Sequence, residues 1–508
     1  MKTDLSVALP IVDRPAPVSS PATSVDRPAP ATKAVTTMRP APAASAAAPV
    51  KFPWPILLTI LFAPLITVID VFIMNVSMPT IQHFFHASDA AVQGIIASYL
   101  VGYSVFLITG SRAGDHFGRK KVFMGGLFAF TLASALCGYA GSIEQLIVFR
   151  FFQGVAAGFA APQTFTLIQL NFQHGEFRSK ALGYYGITLG IASILGQFLG
   201  GYFVTVHWMQ EPWRLIFLIN VPVGLVAVIM AAYFIPESKL SKKANFDMGG
   251  VLLLTAGLST LIYPIIQGRE LGWPAWTLVS LVASLAILGL FVRYQSRRMR
   301  AGKSALLLLD LFKIRSFNLG LAMVSFYFAV FSAFLLSCAL FLQTGHHVEP
   351  MTSASYFIIL GIAFMLSSHW SIRNAARYGT PLLQLACLLL LASFTIQLIW
   401  FRGDLSLPAL VSAFFFYGLG AGILVPSFLK IALKDVPAEQ AGAASGVYST
   451  IQQFSSALGV SMIGGVFFYV LQHNKGGFDA GYHAALLCLM AYSVVIMVLL
   501  YLSGRRNN

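Results

Sequence analysis

The sequence predicts an all-α protein that crosses a membrane many times, and three observations support this fold class. The 508 residues are 57% hydrophobic and only 10% charged, whereas about 25% of the residues of a soluble domain are charged. Apolar stretches of the length that a bilayer requires, about 20 residues, recur along most of the chain. Two neighbouring stretches also repeat later with nearly the same spacing of small residues. A water-soluble globular domain is therefore excluded.

The first segment, residues 1–52, differs from the rest because it is rich in alanine, proline, serine and threonine. The tetrapeptide RPAP occurs in it at Arg14–Pro17, Arg27–Pro30 and Arg39–Pro42. A segment of this composition has too little apolar surface to form a core. We expect a disordered cytoplasmic tail, and a tail that docks a partner protein is the alternative.

From residue 54 onward we count fourteen apolar stretches that are long enough to cross a bilayer. They cover residues 54–80, 91–111, 122–141, 143–168, 180–205, 214–235, 248–267, 275–295, 318–342, 352–370, 380–401, 407–429, 443–471 and 481–503. Most lysine and arginine residues between them fall on the side that holds the N-terminus, and the opposite loops keep Arg214, Arg269, Arg402 and Lys475. By the positive-inside rule, we expect a multi-pass protein of the plasma (inner) membrane with both termini in the cytoplasm.

The net charge of +15 follows from this topology and does not indicate nucleic-acid binding, because the basic residues lie in short loops and form no basic domain. The cysteines lie inside apolar stretches without the spacing of metal ligands; they are Cys137, Cys338, Cys387 and Cys488. A Walker-type nucleotide loop is also absent from the sequence. The sequence therefore predicts neither a cofactor nor a metal.

An internal repeat divides the apolar region. The same residue types recur about 264 residues apart in the fourth and twelfth stretches: Gly154, Gly158 and Pro162, then Gly418, Gly422 and Pro426. The fifth and thirteenth stretches share a similar pattern, from Gly183 to Gly201 and from Gly446 to Gly464. Six helices need fewer residues than this offset, so two extra helices are expected between the copies. The predicted divisions are a six-helix half at 53–235, two inserted helices at 236–303 and a second half at 304–508.

Two charged residues lie deep in apolar stretches, Asp70 in the first and Arg150 in the fourth. An ionised side chain at the bilayer centre costs at least about 3 kcal/mol on insertion scales, so such residues usually line a polar cavity and find a partner there. In the second copy of the repeat, Phe414 stands in place of Arg150 and Phe334 near the place of Asp70. The asymmetry favours a role in handling a proton or cation, and a structural hydrogen bond at Asp70 is the alternative.

The segment Ser111–Lys121 joins the second and third stretches and carries Asp115, Gly118, Arg119 and Lys120. It resembles the loop signature of the major facilitator superfamily, although Ser111, Ala113 and His116 depart from that pattern. The resemblance implies a loop that controls the conformational cycle. In the second copy, Ser371–Gly379, the glycine is kept and Ala376 replaces the aspartate. Simple anchoring of cationic residues at the cytoplasmic side is the alternative.

Other stretches resemble further signatures of this superfamily. Arg150, Gln153, Gly154 and Gly158 look like its fourth-helix pattern, and the glycines at 190, 196, 200 and 201 look like the fifth-helix pattern of antiporters. Gln197 follows Gly196 where the antiporters have proline. The small residues Gly196, Gly200 and Gly201 are equally explained by close helix packing. The stretches Asp70–Pro79 and Trp213–Gly224 are similar to those of fourteen-helix drug:proton antiporters, although Phe72 departs from that pattern.

Further polar residues are candidates for a cavity: Gln163, Gln169, Gln197, Asn220, Gln452 and Gln453.

The resemblance implies a proton-coupled secondary transporter that exports lipophilic, often cationic drugs or toxic compounds by alternating access, with Asp70 and Arg150 handling the proton. Its expected partners are the lipid bilayer, protons, a small lipophilic substrate and, in a cell with two membranes, a periplasmic adaptor protein. Export of one endogenous metabolite or antibiotic, and uptake on the same fold, are alternatives. A non-transporting sensor is disfavoured by the intact Asp70 and Arg150. A membrane enzyme is least favoured, because no cluster of a nucleophile with a base appears.

Overall fold

The computed structural model describes residues 52–504, except residues 174, 207–208, 238–246, 304, 404, 438–439 and 475–476. The expected disorder and partner docking of the N-terminal tail therefore lie outside the described residues, apart from Phe52. The start of the expected two-helix insert, residues 238–246, lies outside them as well. The described part of the chain is almost entirely helical and contains no β-strand.

In the described part of the chain, fourteen helices are long and apolar enough to cross a membrane, which confirms the predicted all-α architecture. We label them α1 to α14: Trp54–Phe85, Asp89–Phe117, Arg119–Gly138, Ile143–Asn171, Glu176–Thr205, Pro212–Phe234, Met248–Gly268, Ala275–Arg300, Arg315–Gly345, Pro350–Ser371, Tyr378–Trp400, Leu407–Leu433, Ala443–His473 and Gly477–Ser503. The predicted end of the first stretch at residue 80 was too early, because α1 continues past Pro79 to Phe85. A proline removes only one helical hydrogen bond, so a helix held by its neighbours can pass through it.

Local sequence signals explain several helix ends. Ser88 accepts a hydrogen bond from the Ala91 backbone N–H at the start of α2, and Ser142 accepts one from Gln145 at the start of α4. These side chains satisfy N–H groups that the first helical turn leaves without partners. Gly118 between α2 and α3 has φ 98°, a left-handed conformation that favours glycine. Its counterpart in the repeat, Gly379, has φ 56° at the start of α11.

The repeated glycines bring helices into backbone contact. A Cβ atom on Gly154 of α4 would lie 2.1 Å from the Tyr99 carbonyl oxygen of α2. A Cβ atom on Gly418 of α12 would lie 2.3 Å from the Leu360 carbonyl oxygen of α10. Gly158 and Gly422 meet backbone atoms of the same neighbouring helices. The stripe therefore serves close packing in both copies, as small residues do in membrane helices.

The glycines of α5 pack this helix against two others. A Cβ atom on Gly196 or Gly200 would approach α1 carbonyl oxygens to 2.8 Å, at Ile69 and Ile73 respectively. A Cβ atom on Gly201 would lie 2.9 Å from the Met351 Cα of α10. Packing therefore accounts for these positions. Gln197, which stands where the antiporter pattern has proline, is 2% exposed.

Among the described residues, the most extensive contacts between the first six helices and the last six are those of α2 with α13 and of α5 with α10. The two extra helices, α7 and α8, pack on each other, and α7 also contacts α2 and α13. At the end of the bundle that carries the α1–α2 turn, Gln343 of α9 donates to the Val76 carbonyl oxygen of α1 at 2.9 Å. Gln472 of α13 donates to Asp89 of α2 at 2.8 Å. Hydrogen bonds therefore close the two sets of helices against each other at this end.

Candidate functional site

Asp70 lies in the middle of α1 and is fully buried at 0% exposure. Its carboxylate accepts three hydrogen bonds from side chains of other helices. Arg150 Nη1 donates to Oδ2 at 2.6 Å, while Gln153 Nε2 and Asn220 Nδ2 donate to Oδ1 at 2.8 and 3.2 Å. The three donors satisfy both carboxylate oxygens inside an apolar bundle, because charge-assisted and amide hydrogen bonds replace the water that burial removes.

Arg150 is 2% exposed and completes the ion pair from α4. Its Nη1 atom donates both to Asp70 and to Gln153 Oε1, the latter at 2.7 Å. The guanidinium carbon lies 4.3 Å from the centroid of the Tyr99 ring and 5.9 Å from that of Phe217. Such aromatic faces favour a desolvated cation. Breaking a buried pair of this kind by removing one partner typically costs about 3–5 kcal/mol.

A second layer of polar side chains supports the pair. Asn220 of α6 also donates to Ser134 Oγ of α3 at 3.1 Å, and Ser134 donates to the Phe217 carbonyl oxygen at 2.9 Å. Cys137 Sγ contacts Gln153 Oε1 at 3.6 Å. The network thus joins α1, α3, α4 and α6. The sequence pointed to Asn220 and Gln153 as site residues. It gave no such indication for Ser134, Cys137 and Tyr99, because these residue types are uncharged and common in membrane helices.

The turn between α2 and α3 holds a separate polar cluster. Asp115 forms an ion pair with Arg119, four residues later. Arg119 Nη1 also donates to Gln163 Oε1 at 3.3 Å and to Thr166 Oγ1 at 3.1 Å, both on α4. Lys120 Nζ donates to the Ala232 carbonyl oxygen of α6 at 2.8 Å. The turn is therefore attached to the ends of two further helices, and Gly118 provides its left-handed backbone.

A small cavity lies beside Arg150, between α1, α2, α4 and α9. Its lining residues are Val71, Met74, Asn75, Ile96, Tyr99, Leu100, Arg150, Phe331, Ser332 and Leu335. Its volume is about 20 Å³, close to the space that one water molecule needs. Both copies of the repeat contribute to the wall. The cavity thus places the ion pair next to the boundary between the first six and the last six helices.

The site residues named from the sequence fall into three places. Asp70 and Arg150 meet in the buried network, Asp115, Gly118, Arg119 and Lys120 meet at the α2–α3 turn, and the repeated glycines lie in helix contacts. Pro162 and Pro426 lie inside α4 and α12, one turn beyond the glycine pairs. Among the described residues, no group of three or more histidine, cysteine, aspartate or glutamate side chains is arranged to hold a metal ion.

Comparison with known proteins relates this architecture to characterised relatives. The profile described as "Major Facilitator Superfamily" matches residues 60–460. The "Probable actinorhodin transporter" of Streptomyces coelicolor is 35% identical over 443 residues, which is 85% of this chain and 76% of the relative. "Multidrug resistance protein Stp" of Mycobacterium tuberculosis is 28% identical over 402 residues, with 78% and 73% covered. The crystal structure of nucleoside transporter NupG aligns with a TM-score of 0.64 at 12% identity, over 90% of this chain and 100% of that one. That structural likeness concerns the fold alone.

Proposed function

The chain belongs to the major facilitator superfamily, and we propose that it is a proton-coupled exporter of lipophilic drugs or toxic compounds. The family and the similar relatives are membrane transporters, and an ion gradient is the energy source that remains for a chain without a nucleotide loop. The burial of Asp70 among three donors carries the proposal. In transporters, an ionisable residue of this kind inside the bundle is typically a coupling group.

The proposed coupling follows from the chemistry of the Asp70 carboxylate. Ionised Asp70 is stabilised by Arg150, Gln153 and Asn220 and holds α1 against α4 and α6. A proton on Asp70 removes the charge attraction to Arg150 and leaves a carboxylic acid that can itself donate. The contacts between α1 and its neighbours then weaken. Binding of a proton to Asp70 would therefore shift the equilibrium between two conformations that differ in the contact between Asp70 and Arg150.

Alternating access supplies the movement. We propose that the six-helix halves 53–235 and 304–508 rock about the cavity beside Arg150, with the pair α7–α8 of the insert 236–303 following along α2 and α13. Gln343–Val76 and Gln472–Asp89 close one end of the bundle. With both termini in the cytoplasm of the plasma membrane, this closed end faces outward. The proposed partners are lipid, protons and a small lipophilic substrate, with a periplasmic adaptor in a two-membrane cell.

Everted membrane vesicles test the proposal directly. Cells that express the chain are lysed so that the cytoplasmic face points outward, and respiration acidifies the vesicle interior. Ethidium and fluorescein are then added outside, and uptake of each dye is followed together with interior pH. The proposal expects uptake of at least one of the two dyes, which stops with a proton uncoupler and is accompanied by a loss of interior protons. Uptake that is unchanged by the uncoupler would contradict proton coupling.

Export of a single antibiotic is the second candidate function. It is favoured by the 35% identity to a protein described as a probable actinorhodin transporter. The same vesicle experiment with a panel of chemically unrelated compounds separates the two candidates. A broad spectrum supports multidrug export, whereas transport confined to one chemical family supports the antibiotic exporter. Accumulation by intact cells that requires a proton gradient would instead indicate uptake.

A further inference from the structure

We infer that this transporter selects lipophilic compounds that carry a hydrogen-bond acceptor oxygen, neutral or anionic, and discriminates against lipophilic cations, in contrast to the often cationic substrates that the sequence resemblance implies. The inference rests on the proposed transport function and assigns the chemical class of its substrate. It is drawn from the polar atoms in the wall of the cavity between α1, α2, α4 and α9. Tyr99 and Arg150 are the residues that carry it.

Two buried hydrogen-bond donors, on side chains that line the cavity, have no partner among the described residues. They are Tyr99 Oη and Arg150 Nε. Both side chains are at least 98% buried and both line the cavity. A buried donor without an acceptor is unfavourable, so natural structures usually pair it with protein, water or ligand. A ligand oxygen in this cavity would supply the missing acceptor.

The wall offers no counter-ion to a cation. None of the ten lining residues is an aspartate or glutamate, and Arg150 contributes a positive charge. Asp70 lies behind Arg150 with 0% exposure, and both of its carboxylate oxygens already accept hydrogen bonds. A cationic substrate would therefore lose its hydration without gaining an anionic partner, which is costly in an apolar site. A substrate oxygen, by contrast, could accept a hydrogen bond from a donor of the wall and would lie next to the positive charge of Arg150.

The remainder of the wall is mostly apolar and partly aromatic, with Asn75 and Ser332 as its two further polar residues. Val71, Met74, Ile96, Leu100 and Leu335 surround the polar pair. Phe331 adds a ring that lies 5.9 Å from Phe72 and 6.2 Å from Tyr327, measured between centroids. A largely apolar wall with a few placed polar groups is the usual composition of a small-molecule site. At about 20 Å³ the cavity is too small for a drug-sized molecule, so a substrate enters when the two sets of helices separate.

Two dyes with the same xanthene framework and opposite charge test this inference. Fluorescein is anionic and carries acceptor oxygens, whereas rhodamine 123 is a lipophilic cation. Binding of each dye to the purified full-length chain in lipid nanodiscs is measured by fluorescence anisotropy at neutral pH without a proton gradient. Tyr99→Phe removes the unpartnered hydroxyl and keeps the ring over Arg150. Tyr103→Phe removes a neighbouring tyrosine hydroxyl that does not belong to the cavity wall.

We expect the wild type to bind fluorescein at least about tenfold more tightly than rhodamine 123. Tyr99→Phe should weaken fluorescein binding by about tenfold, the effect of one hydrogen bond to a charged acceptor, while Tyr103→Phe should bind as the wild type does. Tighter binding of rhodamine 123, binding of neither dye, or equal effects of the two variants would overturn the inference. Because binding is measured without a gradient, these outcomes are independent of whether Asp70-dependent proton exchange occurs in vesicles.

Discussion

Phe334 and Tyr417 stack with their ring centroids 4.4 Å apart, in the places of the repeat that Asp70 and Gln153 hold in the first copy. Phe414, the counterpart of Arg150, lies 6.1 Å from Phe334 by the same measure. All three rings are buried. The crossing of the equivalent helices is thus filled by aromatic packing in one copy and by an ion pair in the other. Aromatic packing alone can therefore hold such a helix crossing together. The charges of Asp70 and Arg150 are better explained by a role in transport than by a need to stabilise the crossing.

Replacement of Arg150 is predicted to harm both stability and transport. Arg150→Ala leaves the Asp70 carboxylate buried without its charged partner, at a cost of about 3–5 kcal/mol unless Asp70 takes up a proton. Arg150→Lys keeps a cation and should retain part of the activity. The measurements are thermal unfolding in detergent and dye export in vesicles. Full activity of both variants would reject the role of the pair, and an Asp70→Asn/Arg150→Gln double variant should unfold closer to the wild type than Arg150→Ala does.

The ion pair at the α2–α3 turn is predicted to control the rate of the conformational cycle and not substrate choice. Asp115→Asn removes the charged partner of Arg119, which also holds Gln163 and Thr166 of α4. The maximal export rate should fall severalfold for every substrate, with the ratio of rates between two substrates unchanged. Initial rates over a range of concentrations check this. A changed ratio with an intact maximal rate would place the turn in the substrate site instead.

Gln93 is predicted to destabilise the conformation that is closed at the α1–α2 end. It is fully buried on α2, facing Gly464 of α13, and both amide atoms lack partners among the described residues. Gln93→Leu should therefore stabilise this conformation by about 1–3 kcal/mol, raise the unfolding temperature and slow export. Gln169→Leu, at an exposed position on α4, is the control. An unchanged unfolding temperature for Gln93→Leu would contradict the prediction, because it would mean that the Gln93 amide is hydrogen-bonded in this conformation.

The N-terminal tail is predicted to be dispensable up to Lys51, whereas the next residues are not. Lys180 Nζ of α5 lies 4.9 Å from the Phe52 ring and 5.3 Å from the Trp54 ring, measured to the centroids. A chain that starts at Lys51 should insert and export as the full chain does. A chain that starts at Pro55 should unfold at lower temperature, because two contacts of about 0.5–1 kcal/mol each are lost. Transport at matched membrane abundance tests both, and failure of the Lys51 chain would show that the tail has a function.

The sequence predicted the helix count, because long stretches of apolar residues can be counted directly along the chain. It also identified Asp70 and Arg150, because an ionisable residue within a membrane-spanning stretch is unusual whichever way its side chain points. It did not predict that Ser134, Cys137 and Tyr99 surround the pair. Depth in the bilayer follows from counting along a helix, but the direction of a side chain around the helix axis depends on which neighbours pack there. The cavity was likewise beyond prediction, since its wall combines residues of α9 with residues more than 180 positions earlier.

The measurement that tests the central claim most directly is proton movement by Asp70→Asn in liposomes. The asparagine keeps the size of the side chain but cannot take up a proton. We expect that this variant still exchanges labelled substrate for unlabelled substrate across the membrane, and that substrate addition no longer releases protons. The wild type should do both. Proton release by Asp70→Asn at the wild-type rate, with substrate exchange intact, would contradict the assignment of Asp70 as the coupling group.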